Sequence, residues 1–165
     1  YAQKKHGLRK VAIIDWDVHH GNGTQEIFYD DDSVLYISLH QFPFYPGTGS
    51  APERGTGRGE GFTLNCPMGA GSVEKDYLNA FQTQIIPALH RFQPELLVIS
   101  AGFDAHRDDP LADIHLTEES YGRMTQFLME IAGQYCGGRI VSVLEGGYHL
   151  QALAKSVEAH LRAMS

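Results

Sequence analysis

Hydrophobic positions change period several times along this chain. Val11-Ala12-Ile13-Ile14 and Leu96-Leu97-Val98-Ile99 are unbroken apolar runs, the pattern of strands covered on both faces. Strands are predicted over 10–18 and 96–100, with others at 34–39, at 62–66 (stopped by Pro67) and at 139–144. Between them the apolar spacing moves to three and four. Tyr77, Phe81, Ile85, Leu89 and Phe92 form the stripe of a helix that Ser72 would cap and Pro87 would bend. Tyr121, Met124, Leu128 and Ile131 form a second stripe between a Thr117 cap and Tyr135; Leu150, Leu153, Val157 and Leu161 form a third. Shorter helices fit 1–6, closed by Gly7, and 24–29. Alternating β and α elements imply an α/β fold, a parallel sheet flanked by helices on both faces, in a single domain over 1–165.

One segment breaks the alternation. Residues 42–61 hold three prolines and six glycines and read as a long loop. Loops of this length in compact domains tend to be functional. Phe42, Phe44 and Tyr45 stand beside Pro43 and Pro46 and would make walls for a narrow apolar channel, or pack as a surface loop.

Composition narrows the function classes. The chain is 42% hydrophobic with a net charge of −7 and no Lys/Arg run, which speaks against direct nucleic-acid binding. No apolar run has the length of a membrane span. Cys66 and Cys136 form no CxxC motif and read as buried hydrophobes; with no leader pattern in view, a reducing, cytoplasmic setting is expected. The Gly55–Gly59 run lacks the strand and helix of a phosphate cradle, and no nucleophile elbow occurs.

Candidate chemistry gathers where strands end. The first strand runs out in Asp15-Trp16-Asp17-Val18-His19-His20-Gly21-Asn22-Gly23, the fourth in Gly102-Phe103-Asp104. Open α/β sheets bind ligands at the carboxyl ends of their strands. Asp17 and His19 are two apart, so an extended chain would put them on one face with Asp15 one pleat deeper. Two carboxylates and an imidazole give zinc or iron(II) three ligands and leave a position open; without thiolates, a structural zinc cluster is disfavoured. The acidic surroundings could also hold a hard alkali ion beneath the zinc. Glu145-Gly146-Gly147-Tyr148 follows the last strand, where a tyrosine hydroxyl could support a developing oxyanion. His20 is read as a packing residue, His106 as facing solvent or a second metal, and His6, His90 and His160 as surface residues.

Taken in order, Asp15 to Thr24, Ser38-Leu39-His40, Tyr45-Pro46-Gly47-Thr48-Gly49, Ala101-Gly102-Phe103-Asp104 with Asp109-Pro110-Leu111, and Leu144-Glu145-Gly146-Gly147-Tyr148 resemble the zinc-dependent histone deacetylase family. Asn22 makes the likeness closest to its class II branch and bacterial relatives. The resemblance implies an arginase/deacetylase-type fold and Zn2+ held by Asp17, His19 and Asp104. It implies that Tyr148 polarises the acyl carbonyl, and that Tyr45, Leu111, Gly146 and Gly147 line the substrate channel. It implies K+ at Asp15, Asp17, His19, Ser38 and Leu39, and a second K+ at Phe28, Asp31, Val34 and Phe62. Leu111 stands where the polyamine-selective branch has Glu, and Tyr148 where the inactive-leaning branch has His.

The family's tandem histidines, which activate the zinc-bound water, lie in a Gly-His-His stretch upstream of the segment matching Asp15. The resemblance therefore makes these residues the C-terminal portion of a catalytic domain. The expected function is deacylation of an acylated lysine peptide or acylated small amine, with the 165 residues inactive alone and prone to self-association through an uncovered sheet flank. Two rivals are an arginase-like ureohydrolase with two manganese ions, suggested by Asp104-x-His106-x-Asp108, and a non-catalytic acyl-lysine-binding scaffold.

Overall fold

A computed structural model describes all residues from Tyr1 to Ser165. Five strands, β1 (Val11–Asp15), β2 (Val34–Gln41), β3 (Thr63–Met68), β4 (Leu96–Ala101) and β5 (Ile140–Leu144), form one parallel sheet in the order β3-β2-β1-β4-β5. The helices are α1 (Ala2–His6), α2 (Asn22–Phe28), α3 (Glu74–Ala80), α4 (Ile86–Phe92), α5 (Glu118–Tyr135) and α6 (Leu150–Met164). From β1 the chain crosses through α2 to β2 on one side; from β3 and from β4 it crosses through α3/α4 and α5 toward the other. Right-handed crossovers in opposite directions put α2 on the face opposite α3–α5. The direction reverses between β1 and β4, so the connections leaving their carboxyl ends part to opposite faces and leave a crevice there.

One face of the sheet is sealed. Ala12, Ile14, Leu97 and Ile99 are fully buried against the predicted stripe Tyr77, Phe81, Ile85, Leu89 and Phe92 and against Tyr121, Met124, Leu128 and Ile131. The other face is covered unevenly. Along β4, buried Leu97, Ile99 and Ala101 alternate with half-buried Leu96, Val98 and Ser100, so the apolar run does not mark burial on both faces. On β5, Val141 and Val143 are each 49% exposed.

Several boundaries differ from expectation for identifiable reasons. The β1 ladder stops at Asp15, because residues 16–19 turn rather than continue extended. Pro67 does not stop β3; it lies within it, opposite His40 on an edge strand, where a missing N–H breaks no ladder. Ser72 does not cap α3: its Oγ donates to the Gly69 carbonyl (2.6 Å), while the Asp76 carboxylate accepts the Val73 N–H (2.9 Å). Pro87 is accommodated by a π-helical turn over Phe81–Ile85 ahead of it, which widens the helix where a proline ring would crowd the preceding turn.

The α6 stripe is rotated from its predicted face. Leu150 and Leu161 are exposed, and Ala152, Ser156 and His160 are buried. Small residues let α6 approach α5 closely, with Ala159 against Gly122. His160 is thus no surface residue. Thr125 Oγ donates to the Tyr121 carbonyl (2.7 Å), so His160 Nδ1–H donates to Thr125 Oγ (2.6 Å) and Nε2 accepts from Ser142 Oγ (2.9 Å). Its ring also meets the Trp16 and Phe103 rings edge-on.

Candidate metal centre

Asp17, His19 and Asp104 meet at the β1/β4 crevice, each offering one donor atom within 4.8 Å of the others. They do not converge by strand alternation. Asp15 Oδ1 accepts the Asp17 N–H (3.1 Å), and Asp17 Oδ1 accepts the His19 N–H (2.8 Å). Two successive carboxylate-to-backbone turns of this kind curl the chain back on itself, bringing His19 Nδ1 to 3.0 Å from Asp17 Oδ1 and 3.2 Å from Asp104 Oδ2. From β4, Asp104 Oδ1 accepts the Val18 N–H (2.8 Å) and ties the two strand ends together.

The electrostatics suit a cation. Asp104 Oδ2 is buried and, apart from the His19 ring nitrogen, meets no hydrogen-bond donor, an arrangement that costs free energy unless a positive charge completes it. Burial, with the Asp17 charge beside it, raises the Asp104 pKa. Burial also acts to raise Asp17, but the His19 ring and the N–H groups of His19 and Gly146 outweigh it and hold Asp17 low. Facing Asp104 and Asp17, the His19 pKa rises to about 10, a sign of the negative potential at this point. Asp15, beneath, is pushed up to about 8 by burial despite the Tyr36 hydroxyl at 3.0 Å.

Gly146 closes the cluster from the β5 side. Its N–H donates to Asp17 Oδ2 (2.8 Å), and a Cβ there would fall among the Asp17 and Asp104 carboxylate oxygens. Gly102 packs against Asp17 equally tightly. Asp15, Asp17, His19, Gly146 and Tyr148 border a cleft of about 460 Å³. Tyr148 is 56% exposed beside it. From the long loop, the Phe44 ring stacks on His19 (centroids 5.4 Å apart, 25° between planes) and Tyr45 meets it edge-on at 6.2 Å. Leu111 is exposed on a separate loop.

Among the oxygen sets, Ser38 lies opposite Asp15 in register. His40 Nε2–H donates to the Gly49 carbonyl (2.8 Å), so Ser38 Oγ donates its proton to His40 Nδ1 (2.9 Å) and keeps its lone pairs. In the second set, the Phe28 carbonyl accepts the Asp31 N–H (3.1 Å) and the Phe62 carbonyl the Tyr36 N–H (2.9 Å). The Asp31 carboxylate is taken up by the Ser33 N–H and hydroxyl, and Val34 is buried.

His106 faces neither solvent nor a second metal. It is buried, with Nε2 3.3 Å from Glu118 Oε2 and Nδ1 accepting the Asp108 N–H (3.1 Å), and Asp108 points outward. The Asp-x-His-x-Asp reading therefore gathers no second ligand set; Asp17, His19 and Asp104 are the one such group in the chain. His20 is buried between Thr48 Oγ1 (2.7 Å) and Gln25 Oε1 (3.0 Å), as a packing residue should be.

Glu53 escaped sequence reading. Its carboxylate accepts from Gln25 Nε2 (2.7 Å), the N–H groups of Gly49 and Ser50 and the Ser50 hydroxyl, fastening the aromatic loop to the core. These donors outweigh its burial and lower its pKa to about 2. An acidic residue in a Gly/Pro-rich loop carries no periodic signal; the acid four residues after Gly49 was the available clue.

The family model described as Histone deacetylase domain matches residues 1–164. The chain belongs to the histone deacetylase family. It is 47% identical over 163 residues to the protein named histone deacetylase 10, chloroplastic, of Oryza sativa subsp. japonica, covering 99% of this chain and 37% of the relative. It is 48% identical over 147 residues to a probable deacetylase of Archaeoglobus fulgidus, covering 89% of this chain and 41% of that protein. The crystal structure of the HDA15 HD domain superposes with a TM-score of 0.91 at 48% identity, over 96% of this chain and 45% of that one. The chain thus spans less than half the length of these family members.

Proposed function

We propose that the protein containing this chain is a zinc-dependent amidohydrolase that removes acyl groups from acylated lysine or a similar acylated amine. The observation that carries this reading is the convergence of Asp17, His19 and the buried Asp104 carboxylate on one point. Two carboxylates and one imidazole, with no thiolate, match a catalytic rather than a structural zinc set. Zinc at these three residues would polarise an amide carbonyl and lower the pKa of a water beside it.

The chain's own residues supply the surroundings. Phe44 and Tyr45, against His19, form an apolar approach suited to the methylenes of an acyl-lysine. Tyr148, beside the cleft, donates its hydroxyl proton to the carbonyl oxygen as negative charge builds there. Ser38 Oγ, opposite Asp15 in register and with its lone pairs free, would join carbonyls of Asp15, Asp17, His19 and Leu39 in holding K+. Leu111 is apolar and exposed, and offers no anion to a polyamine. The buried free thiols Cys66 and Cys136 suit a reducing compartment such as the cytoplasm.

These residues by themselves are inferred to be inactive for lack of a general base. The neighbouring imidazoles are engaged: His20 at both nitrogens, and His149 Nδ1 by the Ala152 N–H (3.2 Å). The arginase-like rival loses its support with His106 turned toward Glu118.

Zinc titration by calorimetry is expected to give one site per chain, lost in Asp104→Ala. In the full-length protein, the same substitution is expected to abolish acetate release from an acetyl-lysine peptide. A chain that binds no zinc, or turnover that survives Asp104→Ala, would refute the reading. Peptide binding without hydrolysis in the full-length protein would favour a scaffold.

A further inference from the structure

The turn from Glu145 to Tyr148 is fastened at two points, and only one belongs to the donor cluster. At Gly146 the N–H is held by Asp17 Oδ2 and the carbonyl accepts the Phe103 N–H, both at 2.8 Å. At Tyr148 the N–H donates to Oδ2 of Asp109 (2.7 Å), and the other oxygen of Asp109 accepts the Leu111 N–H (3.1 Å). The Asp109 carboxylate is thus spent on backbone N–H groups rather than on a cation, in a residue only 7% exposed. Burying a carboxylate is costly unless its oxygens are hydrogen-bonded, so this arrangement is bought by what it holds in place.

What it holds are two segments whose side chains stand free, Leu111 at 47% and Tyr148 at 56% exposed. Gly147, between the two anchors, has φ +143°, a conformation L side chains avoid, and adds no side chain to stiffen the turn. The position of Tyr148 therefore depends on Asp109. Asp109 itself sits on the loop that begins at Asp104: its N–H donates to the His106 carbonyl (2.9 Å), and His106 is buried against Glu118.

We propose that Asp109 is a positioning residue: one buried carboxylate sets the backbone of both Tyr148, the tyrosine that would meet the substrate carbonyl, and Leu111 on the neighbouring loop. This rests on the deacylase reading of Tyr148. Asp109 acts through backbone alone and needs no contact with substrate.

The test uses the full-length protein and an acetyl-lysine peptide. Asp109→Asn replaces one acceptor with an NH2 group facing an N–H. Its kcat is expected to fall on the order of 10²-fold, the scale of a reacting group displaced by about 1 Å. Tyr148→Phe is expected to fall comparably, and the double variant no further than Tyr148→Phe alone. In Asp109→Asn the Tyr148 and Leu111 amides should exchange hydrogen faster. The Val18 amide, held by Asp104, and the zinc affinity should stay unchanged.

Losses that multiply in the double variant, or an unaltered Tyr148 amide, overturn the proposal. If Asp109→Asn does not fold, Asp109→Glu keeps the charge and moves both acceptors by one methylene. It must show the same non-additivity with Tyr148→Phe, and additivity there overturns the proposal equally. If Tyr148→Phe leaves kcat unchanged, the role given to Tyr148 fails, while exchange at its amide still decides the clamp.

Discussion

The two faces of the sheet are built by the same strands and have opposite characters. On one, Ala12, Ile14, Leu97 and Ile99 are wholly buried under α3–α5. On the other, Asp15, Ser38 and His40 are buried beneath α2 and the aromatic loop, while Val98 is half-buried and Val141 and Val143 are 49% exposed. The sealed face is apolar and carries stability. The opposite face grows polar toward the strand ends and carries chemistry. The donor cluster lies where the two meet, at the crevice between β1 and β4. A metal site needs donors held by rigid backbone yet open on one side, and a sheet sealed on one face and partly open on the other supplies both.

Breaking the sealed face should cost most. Leu97→Ala is expected to destabilise by about 2–5 kcal/mol, the range for large-to-small changes in cores, read from the denaturant midpoint. His160→Leu comes next. It leaves Ser142 Oγ and Thr125 without their ring partner, at about 1–3 kcal/mol for unsatisfied buried polar groups. Zinc affinity should also weaken, because Trp16 and Phe103, which precede Asp17 and Asp104, lose the imidazole edge. Unchanged stability in His160→Leu would mean that this bridge contributes nothing.

A pH series sharpens the comparison from the polar side. Burial lowers the His40 pKa from 6.5 to about 4, and lowers His160 as well. Each is held neutral in the fold, so the unfolded chain binds more protons below pH 6.5. The stability they contribute is fully present above 6.5 and drains away as pH falls from 6.5 toward 4. The stability advantage of the parent over His40→Asn should therefore shrink as pH falls across that window, while Asp15, raised to about 8, pulls the other way in both chains. The smallest effect belongs to the exposed strand: Val143→Thr should shift stability by less than about 0.5 kcal/mol. A loss as large as that of Leu97→Ala would show Val143 to be buried in solution, as the expected self-association through this flank would make it.

Legibility followed the range of the interactions concerned. The stripes of α3–α5 repeat along the chain and their burial follows from that repeat, whereas the unbroken apolar run of β4 gave its strand but hid a burial that alternates. Asp17, His19 and Asp104 were readable because acids and imidazoles at two strand ends are few. Their mode of convergence was not, since it comes from turns closed by Asp15 and Asp17 rather than from strand alternation. α6 misled because its apolar leucines outweigh small residues in any periodicity, although a close helix contact selects Ala and Ser. Glu53 looked like an ordinary loop acid, and Asp109 entered only as part of a matching motif; the value of both lies in backbone N–H groups that only the folded loops present.

From residue order alone came the α/β alternation, the parallel sheet, the donor residues at two strand ends and the likeness to deacetylases. Each depends on local periodicity or on residue types in a short motif. Tertiary structure decided which face of each strand is sealed, where His106 and His160 point, and which carboxylates clamp backbone N–H groups. Those outcomes depend on atoms brought together from segments dozens of residues apart, such as Asp17 with Gly146 and His160 with Thr125 and Ser142.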